Sequence, residues 1–352
     1  MTVTEGLRLS VLGGARATAR RTALVCVLLT AALFTCIVLV SLFGSEQLPA
    51  GESLCALFSM GQAACGLSSA QTAILLEIRL PRILLAAAVG ASLAAAGASY
   101  QALLRNPLAE PYLLGISNGA AVGTMLALVF LGPFAFARPL LAFGGALLAT
   151  LFVYRLASGR TGATPERLIL SGVIVTTFLS SVIVFVTTLL DATRIRSFTF
   201  WLLGDLSGGT SNLLLISIAV SILCIAALTY NARALNLLML GERDAFDLGV
   251  EVSRVRFTVF IAASLLVGSS VASSGSVGYV GLVVPHLVRL SLGSDNRLTI
   301  PSAAIIGAMF VVIADTLART LIAPRELPVG AITAIIGAPL FIYLLKRGRS
   351  VA

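Results

Sequence analysis

Long runs of apolar residues recur along the whole 352-residue chain and restrict it to folds that lie in a membrane. A run of about 20 apolar residues is enough to cross the hydrocarbon core as a helix. Only 11% of the residues are charged, whereas a soluble domain carries about 25%. A transmembrane barrel would show short alternating segments instead. We therefore predict an all-α polytopic membrane protein, because helices satisfy their own backbone polar groups in lipid.

Turn-forming or charged residues separate the apolar runs and divide the chain into about ten transmembrane helices. We interpret the whole chain, residues 1–352, as a single transmembrane domain. The predicted spans cover residues 22–43, 79–104, 112–131, 138–156, 167–190, 211–234, 257–273, 278–293, 299–322 and 328–346.

The distribution of basic residues predicts the orientation. With the N-terminus inside, seventeen of the 24 Lys and Arg residues fall on the cytoplasmic side and seven on the outer side. This is the asymmetry of the positive-inside rule. Residues 1–21 then form a basic cytoplasmic N-terminus, and the basic C-terminus is cytoplasmic as well. The net charge of +9 is dispersed at the ends of apolar runs, which indicates topology rather than a nucleic-acid partner.

The five cysteines fall into two groups. Cys26, Cys36 and Cys224 lie within apolar runs, where cysteine behaves as a small hydrophobe. Cys55 and Cys65 lie before the second predicted span. If that segment is external, a disulfide between them and two free thiols are both compatible with the sequence. The sequence contains no cluster of metal ligands.

Asp315 is the clearest charge inside a predicted span. Arg319 follows four residues later, the spacing at which helical side chains meet. The alternative is a proton or ion relay, but a relay usually needs a chain of such groups. We therefore expect Asp315 and Arg319 to pair.

Three further segments are unusual for a generic membrane bundle. Arg-Leu-Pro-Arg at 79–82 places two cations at the predicted outer start of the second span. Residues 101–119 contain two prolines that interrupt the helices around them. Residues 240–250 read as a short cytoplasmic amphipathic helix. Its acidic residues argue against an anionic membrane surface, so we expect its apolar face to enter a groove of a protein.

These segments and several others resemble the iron-chelate and cobalamin ABC importer permeases, the FecCD family. The resemblance extends from about Arg79 to the C-terminus. The motifs that carry it are Arg-Leu-Pro-Arg at 79–82, Asn-Pro-Leu-Ala-Glu-Pro at 106–111, Leu-Gly-Ile-Ser-Asn-Gly at 114–119, Gly-Glu-Arg-Asp-Ala at 241–245, Gly-Leu-Val-Val-Pro-His at 281–286, Ala-Asp-Thr-Leu-Ala-Arg at 314–319, Glu-Leu-Pro-Val-Gly at 326–330 and Gly-Ala-Pro at 337–339.

The resemblance implies a ten-span subunit of type II ABC importer architecture in the bacterial inner membrane. It implies a second permease subunit, with a homodimer expected, around a central pathway. Two cytoplasmic ATPase subunits would bind ATP, and a periplasmic binding protein would deliver the substrate. The chain itself would hold no cofactor. The sequence shows no P-loop of the type G-x-x-x-x-G-K-[ST], so another polypeptide must hydrolyse ATP.

The resemblance also implies roles for individual residues. Docking of the binding protein would fall to Arg79, Arg82 and Arg319. The cytoplasmic loop 236–256 would carry the coupling helix, with contacts to the ATPase from Leu240, Gly241, Glu242, Asp244, Ala245, Phe246, Leu248 and Gly249. The fifth span would line the pathway with the hydroxyls of Thr176, Thr177, Ser180, Ser181 and Thr187, and the alternative for each is helix packing. The family's gate would fall at Thr164, Pro165 and Glu166, where small hydroxyl residues are expected.

Two other functions compete with this interpretation. An ion-coupled secondary transporter would need coupling groups near the middle of the bilayer, and the sequence offers no convincing set. Residues 115–119 also fit the G-x-S-x-G pattern, which with His286 evokes an intramembrane serine hydrolase. That pattern requires a strand–turn–helix context, whereas here it opens a membrane helix. The substrate stays open among ferric siderophores, haem and cobalamin, with an iron complex favoured.

Overall fold

The computed structural model describes residues 19–44, 46–61, 65–131, 136–159, 162–208 and 211–348, and most of these residues are helical. The α-helices, in chain order, are α1 (Ala19–Ser41), α2 (Ala50–Phe58), α3 (Ser69–Ala73), α4 (Leu80–Leu103), α5 (Ile116–Phe130), α6 (Ala137–Ala157), α7 (Pro165–Thr187), α8 (Ala192–Leu202), α9 (Ser211–Tyr230), α10 (Ala232–Leu240), α11 (Glu242–Asp247), α12 (Val252–Ser274), α13 (Val280–Leu292), α14 (Asn296–Thr320) and α15 (Val329–Gly348).

Three kinds of short element complete the described structure. A π-helical segment, Ile74–Arg79, joins α3 to α4, and a 3-10 turn, Pro111–Leu114, precedes α5. Strands β1 (Ser158–Gly159) and β2 (Gly162–Ala163) pair antiparallel between α6 and α7. Most of the basic N-terminal segment predicted at 1–21 lies outside the described residues.

Each of the ten predicted spans overlaps helical structure. Seven helical stretches are long and apolar enough to cross a membrane, and the longest joins α3, the π-helical segment and α4 over 35 residues. The other three helices, α5, α13 and α15, are apolar but shorter.

The structure corrects several predicted boundaries. The second span was predicted to begin at Arg79, but the helical stretch begins ten residues earlier at Ser69. There Ser68 and Gln71 form a reciprocal capping box, which satisfies free backbone groups at a helix start. The third span was predicted from residue 112, but α5 begins at Ile116, because Gly115 adopts a left-handed conformation with φ of 77°. Helices α2 and α8 had no counterpart in the prediction, and α10 falls across the predicted end of the span 211–234 and the start of the loop 236–256.

Helix α4 lies at the centre of the bundle, where it packs against α14, α12, α13 and α9. Its close approach to α14 depends on glycine, since a Cβ at Gly90 would overlap the backbone of Gly307. A Cβ at Gly97 would likewise overlap the backbone of Gly281 in α13. Small residues of this kind allow helices to pack closely in lipid, where no hydrophobic driving force brings them together. The close approach of these helices therefore depends on small residues.

A small separate unit precedes the second helical stretch. Cys55 in α2 and Cys65 are joined by a disulfide, with their Cα atoms 5.6 Å apart. Leu48, Ala56 and Leu75 form a hydrophobic cluster beside this bond. Of the two alternatives that the sequence left open for these thiols, the structure contains the disulfide.

Candidate docking, pathway and coupling sites

One buried carboxylate organises the charges near one end of α14. Asp315 is 1% exposed, and its Oδ2 accepts a bond from Arg319 Nε at 3.0 Å. Its Oδ1 accepts from Arg82 Nη2, also at 3.0 Å. Arg82 Nη1 reaches further to Glu326 Oε2 at 2.8 Å. The predicted pairing of Asp315 with Arg319 is confirmed, and Arg82 is a second partner that the sequence did not predict.

The arginines predicted to dock a binding protein are less accessible than expected. Arg79 is 4% exposed, and its guanidinium donates to the carbonyl oxygens of Ser41 and Glu46, both at 2.9 Å. Arg319 is 6% exposed. Arg79 is buried because the helical stretch begins well before residue 79, and Arg319 is buried at the end of α14, so the docking role of both stays a prediction.

Arg82 lies closer to the surface than Arg79 and Arg319. A shallow cavity of about 180 Å³ opens beside it and is also lined by Phe200, Asp205 and Glu326. The walls of this cavity come from α4, from α8 and the segment after it, and from the start of α15 and the loop before it. Arg82 and Glu326 are thus the members of the charge cluster that a partner on this face can reach.

The coupling segment predicted at 240–250 is a short helix with an apolar outer face. Helix α11 begins after Gly241 and ends at Asp247, which confirms the predicted amphipathic helix. Leu240, Phe246 and Leu248 are exposed, whereas Ala245 is fully buried. Gly249 has a φ of 85°, a backbone conformation that favours glycine directly after the helix. The segment therefore presents three large apolar side chains on the outside of the chain.

Charges fix α11 to the rest of the chain. Glu242 Oε1 lies 2.5 Å from Arg256 Nη2 and 3.8 Å from Arg105 Nη2. Arg256 is 5% exposed, whereas Arg105 is exposed. A cavity of about 910 Å³ lies beside α11 and is lined by Phe246, Arg254 and other residues of the loop and of α12. The other predicted coupling positions, Gly241 and Asp244, lie at the start of this helix.

Helix α10 fixes the other end of the coupling segment. Asn236 Nδ2 donates to Asp295 Oδ1 at 2.7 Å, and Asn236 Oδ1 accepts from the backbone N–H of Asn296 at 2.9 Å. Asp295 also accepts from Arg297, with Nη2 to Oδ2 at 2.7 Å. Burial alone raises the pKa of Asp295, but the hydrogen bonds from Arg297 and Asn236 lower it to about 2. These contacts hold α10 at the N-terminus of α14.

The hydroxyls predicted to line a pathway divide between two faces of α7. Thr177 and Ser181 are exposed, and each donates to the carbonyl four residues earlier, at 2.9 and 3.1 Å. Thr176 faces α5 instead, where its carbonyl accepts from Asn118 Nδ2 at 2.9 Å. Asn118 Nδ2 also donates to Ser180 Oγ at 2.7 Å.

The free face of α7 is mainly apolar. Thr187, nearer the end of the helix, donates to the carbonyl of Val184 at 2.6 Å. Large exposed apolar side chains accompany the hydroxyls on this helix, among them Val173, Ile174, Phe178, Val184 and Phe185. The accessible face of α7 is thus apolar with interspersed hydroxyls that are already bonded to their own backbone.

The three residues predicted as a gate form the start of α7. Thr164 is the N-cap, and its side chain accepts from the backbone N–H of Arg167. Pro165 occupies the first helical turn, where its missing N–H costs nothing. Glu166 follows in the same turn, where a negative charge is favourable. Pro165 and Glu166, which stand where small hydroxyl residues were expected, therefore suit the first turn of a helix.

The serine of the G-x-S-x-G pattern has no histidine beside it. Ser117 Oγ bonds to Ser276 Oγ at 3.3 Å. His286 instead packs edge-on against Phe341, with ring centroids 6.0 Å apart. The nucleophile turn of a hydrolase lies between a strand and a helix, whereas Gly115 here follows a 3-10 turn. Within the described residues, no group of three or more His, Cys, Asp or Glu side chains is placed to hold a metal ion.

Comparison with known proteins decides the family. Residues 28–347 match the FecCD transport family. The chain belongs to this family. It is 43% identical to the ABC transporter permease protein YvrB of Bacillus subtilis over 78% of this chain and 79% of YvrB. It is 41% identical to the hemin transport system permease protein HmuU of Yersinia pestis over 78% of this chain and 84% of HmuU.

A vitamin B12 permease and a solved transporter give the same result. This FecCD-family chain is 42% identical to BtuC of Vibrio cholerae, a vitamin B12 import system permease protein, over 80% of this chain and 85% of BtuC. A solved metal-chelate type ABC transporter in an inward-facing conformation superposes with a TM-score of 0.79 at 30% identity, covering 92% of this chain and 99% of that one. The protein is therefore a multi-pass membrane permease subunit and not an enzyme, and in its family the ATPase is a separate subunit.

Proposed function

We propose that this chain is the membrane-spanning subunit of an ATP-driven importer that carries an iron chelate, haem or cobalamin into the bacterial cytoplasm. Two relatives are a hemin permease and a vitamin B12 permease, and the chain is 37% identical to an Fe(3+)-citrate import system permease protein of Bacillus subtilis. The observation that carries the proposal is the segment around α11, where Leu240, Phe246 and Leu248 are exposed and buried Arg256 holds Glu242 of the helix. Such a face fits the groove of a cytoplasmic ATPase subunit.

The proposed topology has ten spans in the bacterial inner membrane, with both chain ends in the cytoplasm. Ten helical stretches at the predicted positions support this count. The excess of Arg on the predicted cytoplasmic side supports the orientation. Helix α11 and the segment Thr164–Glu166 then share the cytoplasmic side, and Asp315 with its arginines lies toward the outer side.

Two copies of the chain would enclose the pathway between them. The free face of α7 supports this arrangement, because it carries Thr177 and Ser181 among exposed apolar side chains. A weakly polar wall lets a bulky solute pass without holding it. Arg82 and Glu326 would form the rim that meets the binding protein, with Arg79 and Arg319 fixing the helices beneath that rim.

The secondary-transporter alternative gains no support from the charges of the described residues. Asp315 is already neutralised by two arginines. An ion-coupled carrier instead needs a site where a cation can bind and leave.

The decisive experiment reconstitutes the chain in lipid nanodiscs with the ATPase encoded beside it. ATP hydrolysis is measured with the neighbouring binding protein either empty or loaded with ferric siderophore, haem or cobalamin. We expect one loaded form to stimulate hydrolysis, which also identifies the substrate. If no ATPase copurifies and hydrolysis never responds, the importer assignment is wrong and an ion-coupled carrier becomes the alternative to test.

A further inference from the structure

Three segments that are distant in the sequence meet at Arg256. Its Nη2 lies 2.5 Å from Glu242 Oε1 of α11. Its Nη1 donates to the carbonyl oxygen of Ala163, the last residue of β2. The guanidinium itself belongs to α12 and is 5% exposed. One buried side chain therefore bonds both the coupling helix and the strand pair.

Arginine is the residue that this position requires. Its planar guanidinium carries five N–H donors in a fixed fork, so it can hold two acceptors in different directions. Lysine presents a compact point charge on a flexible stem and does not reproduce that fork. The second cation near Glu242 is the more exposed Arg105, at 3.8 Å, and exposed ion pairs of this kind contribute little. Arg256 therefore provides the stronger of the two ionic contacts with α11.

The strand pair leads directly into the proposed gate. Ala163 is followed by Thr164, whose side chain caps α7. A Cβ at Gly159 of β1 would collide with the guanidinium of Arg167, so β1 lies against a side chain that comes from the first turn of α7. A displacement of Ala163 is thus transmitted to the start of α7 through the chain itself and through this packing.

The space beside α11 permits such a displacement. The cavity of about 910 Å³ is bordered by Phe246 and Asp247 of α11, by Arg256 and Phe257 of α12 and by Tyr154 of α6. Helix α11 is therefore not packed on all sides. Its Glu242 carboxylate contacts the buried guanidinium of Arg256.

We infer that Arg256 is a positioning residue that links α11 to the strand pair β1–β2 and hence to the start of α7. In this arrangement a movement of the coupling helix displaces Arg256, the carbonyl of Ala163 and the segment Thr164–Glu166 together. The inference rests on the proposed function, since it supplies the connection between ATP-driven movement of α11 and the cytoplasmic end of the pathway. A link of this kind changes the transport achieved per ATP rather than the rate of ATP hydrolysis alone.

The test uses the complex of the chain with its ATPase and loaded binding protein in liposomes. Arg256→Gln keeps hydrogen-bonding capacity but removes the charge and the fork. We expect substrate transported per ATP hydrolysed to fall at least about tenfold, within the usual range of coupling between sites. The matched control is Arg254→Gln, which removes an exposed arginine of the same helix that pairs with Glu251 at 3.3 Å. This control should stay within about twofold of the original protein.

A charge exchange separates the complete link from its ion pair. The double variant Glu242→Arg with Arg256→Glu restores the opposite charges, but a carboxylate at 256 cannot donate to the carbonyl of Ala163. We expect thermal stability to recover while transport per ATP stays low. Full recovery of transport would overturn the role of Ala163. Equal losses of stability, ATP hydrolysis and transport in Arg256→Gln would reduce Arg256 to a structural residue and overturn the inference.

Failure of the link and failure of the importer assignment give different results in these measurements, and hydrogen exchange then tests the link directly. If the unaltered complex shows no stimulated hydrolysis, the proposed function is wrong. If stimulation is present and Arg256→Gln transports like the unaltered protein, only the link is wrong. On the chain alone, Arg256→Gln should accelerate exchange both in α11 and at residues 162–168, whereas Arg254→Gln should change neither region. Acceleration confined to α11 would contradict the connection to β2.

Discussion

Arg82 and Asp315 lie 233 positions apart in the chain, yet Arg82 Nη2 is 3.0 Å from Asp315 Oδ1. The same carboxylate holds Arg319, so one buried Asp pairs with two arginines from different helices. The contact ties α4 to α14, the helices at the centre of the bundle. Breaking a buried charge pair is far more costly than breaking an exposed one, because the remaining charge is left without a partner.

The first prediction concerns this carboxylate. Asp315→Ala should lower the free energy of unfolding by about 3–5 kcal/mol, because it leaves the buried Arg319 without its carboxylate partner and Arg82 with Glu326 alone. The measurement is chemical unfolding in mixed micelles. The matched control is Glu326→Gln, which removes the 44% exposed partner of Arg82 and should cost less than about 1 kcal/mol. Similar losses in the two variants would show that Asp315 is not the centre of the cluster.

The apolar runs predicted the position of every long helix, because each run must satisfy its backbone within itself. The helix α8 escaped prediction because Arg194 and Arg196 interrupt its apolar pattern. Its Phe198 nonetheless packs against Met125 of α5, so tertiary contacts determine its position. Sequence spacing can show that Asp315 and Arg319 meet on one helix, but no local pattern indicates that Arg82 reaches the same carboxylate.

The candidate site was predictable to the extent that its features are local. The order of apolar and acidic residues in 240–250 predicts an amphipathic helix, and α11 lies within this segment. The contact of Glu242 with Arg256 and the burial of Arg79 depend on how distant segments pack. The sequence did not indicate the structural role of Pro165 and Glu166. The structure places both in the first turn of a helix capped by Thr164.

The second prediction tests the apolar face of α11. Phe246→Ala should weaken binding of the ATPase subunit at least about tenfold, as truncation of a central apolar anchor in an interface does. Binding is measured by titrating the purified ATPase against the chain in nanodiscs. The control is Phe58→Ala in α2, since Phe58 is 66% exposed and Phe246 is 70% exposed. Equal affinities of the two variants would remove α11 from the interface.

The third prediction concerns the disulfide between Cys55 and Cys65, which closes a loop with a sequence separation of 10. A loop of this size contributes about 3 kcal/mol by restricting the unfolded state. The bond lies beside its own small cluster around Leu48 and Leu75 rather than in the central core. Cys55→Ser with Cys65→Ser should therefore increase hydrogen exchange in residues 46–61 and 65–75 and leave α4 and α14 unchanged. Increased exchange throughout the bundle would show that this segment also supports the core.

The fourth prediction follows from the lowered pKa of Asp295. Because the folded pKa is about 2 and that of an ordinary Asp is about 3.9, the ionised carboxylate stabilises the fold above the higher value. This contribution is lost as the pH falls from 4 toward 2. Asp295→Asn should flatten the pH dependence of thermal unfolding within that window. Identical profiles for the original protein and Asp295→Asn would contradict the role of Asp295.

The fifth prediction tests whether two copies face each other across α7. Thr177 and Ser181 are exposed on that helix, whereas Thr176 faces α5 and its Oγ1 is buried. In a background with Cys26, Cys36 and Cys224 replaced by Ala, Thr177→Cys and Ser181→Cys should cross-link between copies with a short bifunctional thiol reagent. Thr176→Cys, one position away, should not. The three variants lie on one helix and differ mainly in the direction of the side chain. Cross-linking at Thr176 but not at Thr177 would show that the free face of α7 is turned toward lipid and that another helix lines the pathway.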